Sequence, residues 1–241
     1  MKDTVAKTAD APTQDRLIAN ALIEDIVEWR IQPGSWIRER ELAQRFGVSH
    51  APVREAFRHI ANIGFVQVVP WRGAHVIEID RHAAIEVLEL WKATFGVVCR
   101  LAATGMSDED GQELMRRLEE YKVVVRETTN TFAHLAVSNR VGAFIARNCG
   151  GALAMEMLNR ISLFARWQHH VISSDFFSGD AARESAELYE VLCGHIVARE
   201  ADAADAAARA LLGHLQERFA APLDAYLAAK RVGVAKRGRK S

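Results

Sequence analysis

The chain has 241 residues, enough for one large or two small domains with cores of their own. Apolar residues make up 49% and charged ones 26%, with 31 basic residues against 31 acidic ones. That balance excludes a chain drawn to nucleic acid by overall charge, so any such binding must rest on local charge. Three cysteines, Cys99, Cys149 and Cys193, lie far apart without C-x-x-C spacing. They fit a reducing cytosol and argue against a disulfide frame or a zinc module. Met1 to Gln14 is polar, lacks the apolar centre of a signal peptide and reads as disordered. No run of about eighteen apolar residues occurs, so no membrane span is expected and the location expected is cytoplasmic.

Asp15 to Trp29 has helical periodicity, with Leu17, Ile18, Ala21, Leu22, Ile26 and Trp29 apolar, and Ile31-Gln32-Pro33-Gly34 ends it. Two short helices around a tight turn come next. The first is Glu39 to Arg45, and Gly47 stops it. Ser49 is placed to cap the second with its hydroxyl, and Pro52 sits in the first turn, where a missing N–H costs nothing. Val53, Ala56, Phe57, Ile60 and Ile63 form its buried stripe. Ser49, His50, Arg54 and Arg58 point away from that stripe. A helix entering the major groove N-terminus first sets such residues against base edges and phosphates. From Arg38 to Arg72 there are six Arg against three Glu, a cationic patch on a neutral chain. A helical hairpin that merely carries surface arginines fits the same periodicity. The adjoining segment favours DNA: Phe65 to Val69 and Ala74 to Ile79 read as two strands around Pro70-Trp71-Arg72-Gly73. A wing with Arg72 at its tip reaches phosphate or a minor groove.

Beyond Asp80-Arg81-His82 no strand signal appears. Ile85, Leu88, Trp91, Phe95, Val98 and Ala102 mark one helix. Ser107 opens a second, with Asp108, Glu109 and Asp110 in its first turn and Leu114, Leu118, Tyr121 and Val125 as its buried face. A third spans Thr131 to Asn148. A fourth spans Ala152 to Ser173, through Leu153, Met157, Ile161, Phe164 and Val171. Ser174 to Gly179 is a loop with an exposed Phe176-Phe177 pair. A fifth spans Ala181 to Arg199. An Ala-rich helix from Asp202 to Ala229 is expected to bend near Pro222. The tail KRVGVAKRGRKS has six basic residues and no acid; it reads as disordered, either simply solvated or adding phosphate attraction.

Taken jointly, the segments R-E-R-E-L-A-Q-R-F-G-V-S, P-V-R-E-A-F, I-G-F-V and R-G-A-H-V resemble the GntR family of bacterial winged-helix repressors along Asp15 to Ile79. The resemblance implies DNA contacts from Arg40, Ser49, His50, Arg54, Arg72 and Gly73; Arg58 joins them from its place on the presented face. The position after Ser49 is commonly Arg in that family and is His50 here, a shorter and only partly charged side chain. R-L-A-A at Arg100 to Ala103, I-A-R-N-C-G-G-A-L at Ile145 to Leu153 and G-H-L at Gly213 to Leu215 are similar to the FadR-like branch, with its all-helical (FCD-type) effector domain. This implies a dimerising bundle that binds a small metabolite, usually an acid. Many members hold a metal there through Asp-x3-His and two further His. The first two slots fall on Ser138 and Gly142, the third near Tyr189, and His214 matches the fourth. Neither Ser138 nor Gly142 replaces a carboxylate or an imidazole, so no metal or other cofactor is expected; His134, His195, His169 and His170 read as core or surface residues.

Where many relatives have Arg and Glu on the first effector-domain helix, this chain has Trp91 and Phe95. With Phe164 and Trp167 they are expected to line an apolar cavity, with Arg160, Arg166 or Lys92 holding an acid group; simple core packing of these aromatics is the alternative. The fold expected is mainly α. Residues 15–79 form a winged helix-turn-helix of three helices and a two-stranded wing, 80–82 a linker, and 83–229 an all-α effector-binding and dimerisation bundle, with 1–14 and 230–241 disordered. The function expected is a regulator, a repressor by preference. It binds a palindromic double-stranded operator as a homodimer and answers to an organic acid with an apolar body. An architectural DNA binder without ligand is the alternative. An enzyme fused to a DNA-binding module is disfavoured, since no G-x-S-x-G, P-loop, H-E-x-x-H or paired-carboxylate motif occurs.

Overall fold

The computed structural model describes residues 13–172 and 179–238, with side chains described as far as Arg231. The Phe176-Phe177 pair lies outside them. The chain divides into two compact units, Met1–Glu78 and Ile79–Ser241.

In the first unit, α1 (Gln14–Val27) precedes β1 (Trp36–Ile37), α2 (Glu39–Phe46), α3 (His50–Ile63), β2 (Val66–Val69) and β3 (Gly73–Val76). Gly47, in the left-handed region, ends α2 as expected, and Pro52 lies in the first turn of α3. Ile18, Leu22 and Ile26 of α1 meet Val53, Phe57 and Ile60 of α3 in a core closed by Phe65, Ala74 and Val76. The expected two-stranded wing is part of a three-stranded antiparallel sheet in the order β1-β3-β2. Trp36 stands opposite His75 and Ile37 opposite Ala74. A two-residue strand carries no alternation to read, which is why the sequence hides it. Ser49 holds the N-cap position with extended backbone, but its side chain makes no capping bond, contrary to expectation. The hydroxyl is thereby left on the exposed face.

Asp25 is a carboxylate inside this unit. Its Oδ1 accepts from Arg30 Nε and its Oδ2 from Arg45 Nη1, each at 2.6 Å, tying α1 to α2. Burial alone would raise its pKa; the two guanidinium bonds more than offset this and hold it below the usual carboxylate range. A depressed folded-state pKa stabilises above the unfolded value of about 3.9, and that stabilisation is lost as pH falls through the folded value. Asp25→Ala is expected to cost about 2 kcal/mol at pH 7, because a buried pair is broken although both arginines remain half in water. Urea titrations at pH 7 and pH 3 check this: the gap between wild type and Asp25→Ala should shrink at the lower pH.

The second unit runs α4 (Arg81–Gly105), α5 (Asp108–Glu127), α6 (Thr131–Arg147), α7 (Ala152–Gln168), a 3-10 turn (His169–Val171), α8 (Asp180–Val197) and α9 (Ala201–Gly238). Asp80 caps α4 by accepting from the Ala83 N–H at 2.9 Å, and Ser107 caps α5 through the Asp110 N–H at 3.1 Å. Helix α4 packs on α7 and α9, and α5 on α6 and α8. Val98, Cys99 and Ala102 meet Leu114, Leu118, Ile145, Leu192 and Ile196 in the core. Two expectations are corrected. Leu153 and Met157, read as the buried stripe of α7, are exposed, and Leu158, Ala165, Trp167 and Gln168 are buried instead. Helix α9 runs on to Gly238 with Pro222 inside it, so helix covers much of the tail read as disordered. Among the described residues, no helix is long and apolar enough to cross a membrane.

Candidate nucleic-acid interface

The buried stripe of α3 turns Arg54 and Arg58 outward, and His50 opens the helix. A cleft runs between this helix head, the start of α2 and the wing, lined by Arg38, Arg40, His50, Arg54, Arg58 and Arg72. Trp36, Glu39, Trp71 and Gly73 also line it. The structure thus gathers every predicted DNA-contact residue except Ser49 into one cleft, and Ser49 is exposed beside His50.

The electrostatics there are set by a residue to which the sequence assigns no role, Glu39. One of its oxygens lies 2.8 Å from His50 Nδ1 and 3.5 Å from Arg54 Nε. This carboxylate orients both side chains, and duplex contacts would have to exchange with it. Arg58 pairs with Glu55 one turn earlier on α3. Arg40 is exposed and makes no ion pair among the described residues. On the wing, the Arg72 guanidinium lies 4.8 Å over the Trp36 ring, and Trp36 in turn packs against His75. Trp36 is equally silent in the sequence, as it sits near a turn without periodicity. Trp71 at the wing tip has positive φ and is fully exposed.

Gly73, expected as a DNA contact, has a steric reason to be glycine. Its φ is +102°, and an added Cβ would stand 2.2 Å from the Ile37 carbonyl oxygen. It lets β1 and β3 approach and so shapes the cleft floor.

The second unit holds a cavity of about 270 Å³ among α4, α6, α7, α8 and α9. Of the residues expected at an effector pocket, Trp91, Phe95 and Arg166 line it. Arg160, Phe164 and Trp167 do not; nor does Lys92, which bonds Glu89 and Gln216 instead. The reason is a helical face. Leu158, Asn159, Ser162, Ala165 and Arg166 share one side of α7, and positions 160, 164 and 167 fall on the opposite side. Ser138, Gly142 and Tyr189 also line the cavity. The Ser138 hydroxyl donates to the Leu135 carbonyl at 3.1 Å, and Tyr189 donates to the Ser138 carbonyl at 3.2 Å. Burial pushes the Tyr189 hydroxyl well above its ordinary pKa.

Residues 15–76 match the family model for bacterial regulatory proteins, gntR family. The gntR-type segment therefore spans α1 to β3. The chain is 33% identical over 116 residues to the HTH-type transcriptional repressor RspR of Escherichia coli (strain K12); the match covers 47% of this chain and 51% of that one, so it spans about half the relative's length. It is 25% identical over 190 residues to the probable D-xylose utilization operon transcriptional repressor of Paenarthrobacter nicotinovorans, covering 79% of this chain and 83% of that protein. In fold it is similar to E. coli McbR/YncC, with a TM-score of 0.66 and 18% identity over 90% of this chain and all of the other.

Within the second unit, the donor set at the implied metal slots does not suit a metal. Ser138 and Gly142 offer no anionic or imidazole ligand, and Tyr189 stays protonated. His214 lies 3.6 Å from Glu184 and does not line the cavity. His134 bonds the Thr128 carbonyl at 2.7 Å, and His195 lies 2.5 Å from Glu200. Among the described residues, no group of three or more His, Cys, Asp or Glu could hold a metal ion.

Proposed function

We propose that this chain is a one-component transcriptional regulator of the FadR-like branch. Its gntR-type segment reads duplex DNA, and its helical unit holds a small molecule that sets the affinity. One observation carries the reading: His50, Arg54 and Arg58 at the exposed head of α3 share a cleft with Arg72 of the wing. That pairs a major-groove helix with a minor-groove or phosphate arm on one rigid core. The relatives named as transcriptional repressors point the same way, and repression is the outcome we favour.

On this reading the chain acts in the cytoplasm, on the nucleoid, as a homodimer, and performs no catalysis. Two-fold symmetry then demands an inverted-repeat operator with half-sites about one helical turn apart or nearer. The cavity in the second unit is the effector site, and its occupant acts through different affinities for DNA-competent and incompetent arrangements. Selection of bound duplexes from a random pool tests the proposal. Enrichment of an inverted repeat is expected. A pool without enrichment overturns DNA reading, and enrichment of one asymmetric half-site overturns the dimer.

A further inference from the structure

The wing tip joins a backbone outlier to an exposed aromatic. Val69 pairs with Gly73, and the Arg72 N–H donates to the Val69 carbonyl at 3.1 Å, so Val69 to Arg72 make a tight turn. Pro70 takes its second position, which the pyrrolidine ring prefers, and Trp71 its third, with φ +65°. Gly is the usual residue where a turn demands positive φ at the third position, and a bulky side chain there is an outlier. Among the described residues no packing offsets this, since Trp71 is 104% exposed. A lone apolar residue on a surface needs no explanation, but one kept in a strained conformation without packing points to a partner. The surrounding charge says which. Trp71 borders the cleft lined by Arg38, Arg40, Arg54 and Arg58, a surface that suits a polyanion. Arg72 does not reach out from the tip; its guanidinium lies back over the Trp36 ring of β1, at 4.8 Å. The indole, not the cation, is what the tip presents outward. It offers a phosphate one N–H, whereas an opened base step offers it flat faces on which to stack.

We propose that Trp71 is a wedge: it enters the minor groove beside the bases read by α3, stacks at an opened base step and bends the duplex. Apolar side chains inserted from the minor groove act in this way, at a cost in stacking that the bent duplex offsets with further contacts. Pyrimidine–purine steps open most easily, so the wedge favours TA or CA/TG at a position that no hydrogen bond reads. The inference rests on the gntR-type segment reading duplex DNA, and the test separates the two claims.

Affinity and end-to-end energy transfer, measured on the selected duplex with a dye at each end, test it for the full chain and for Trp71→Gly, Trp71→Phe and Arg72→Ala. Glycine relieves the turn, so Trp71→Gly should keep or raise Tm. It should nevertheless bind about tenfold more weakly, the worth of one stacked base, and lose the rise in energy transfer that the wild type produces. Trp71→Phe, still flat and apolar, should retain most of both. The slope of log affinity against log salt should stay at the wild-type value in both Trp71 variants and become shallower by about one per half-site in Arg72→Ala. Wild-type affinity and bending in Trp71→Gly overturn the wedge and leave DNA reading intact. A salt slope that falls as far as in Arg72→Ala makes the tip a phosphate contact and overturns it too, as does a fall in Tm that accompanies the fall in affinity, which makes Trp71 a structural residue. An altered oligomeric state in Trp71→Gly with unchanged DNA affinity assigns the indole to a protein contact and overturns it likewise. A wild type that binds no duplex overturns both claims.

Discussion

Arg54→Ala is expected to lower affinity for the selected duplex at least about a hundredfold and to flatten the difference between that duplex and a scrambled one. A reading arginine discriminates its base by about 1–3 kcal/mol, and the proposed dimer would use two. The side chain is 60% exposed, and its ion pair among the described residues is with the exposed-side carboxylate of Glu39, so stability should move by no more than about 0.5 kcal/mol. Loss of DNA binding without loss of Tm is thus the signature, read by fluorescence anisotropy beside a thermal melt. His50→Arg makes the contrast. A longer, permanently charged reader there should alter which sequence is selected while retaining tight binding. An unchanged selected sequence in Arg54→Ala would place the reading elsewhere on the molecule.

Gly73→Ala should be nearly as damaging, for a different reason. The backbone has φ +102°, where an alanine is strained by about 1–3 kcal/mol. The new Cβ must also push away the Ile37 carbonyl, 2.2 Å from its ideal position, and that carbonyl belongs to the strand paired beside it. The expected cost is about 3 kcal/mol, concentrated in the three-stranded sheet. Amide hydrogen exchange should show faster exchange in β2 and β3 while the core of the second unit keeps its protection. DNA affinity should fall because Arg72 loses its place against Trp36. Arg72→Ala provides the control: weaker, more uniformly lowered DNA binding with normal protection in the sheet.

How legible these features were in the sequence depends on the kind of signal each leaves. Elements of the first unit are written in local chemistry. Gly47, Pro52 and the stripe Val53-Phe57-Ile60 fix a turn and a buried face, and the presented side chains come by default. Glu39 was not legible as a partner of His50 and Arg54, since that contact exists only once α2 and α3 cross. Strand β1 was too short to leave a period. In the second unit the caps Asp80 and Ser107 were readable, and so were the helices they open. Helix α7 was readable too, but its buried face was not, because apolar residues occur on more than one of its sides. Leu153-Met157-Phe164 makes as good a stripe as Leu158-Ala165, and only packing decides between them. The cavity residues inherited that error.

The most direct measurement of the central claim is a photo-crosslink from the DNA itself. The selected duplex is made with 5-iodouracil in place of single thymines, which sets the reactive iodine in the major groove, and crosslinked peptides are identified by mass spectrometry. Crosslinks within residues 49–58, at the head of α3, are the predicted result. Crosslinks confined to the second unit, with none on α3, would contradict it.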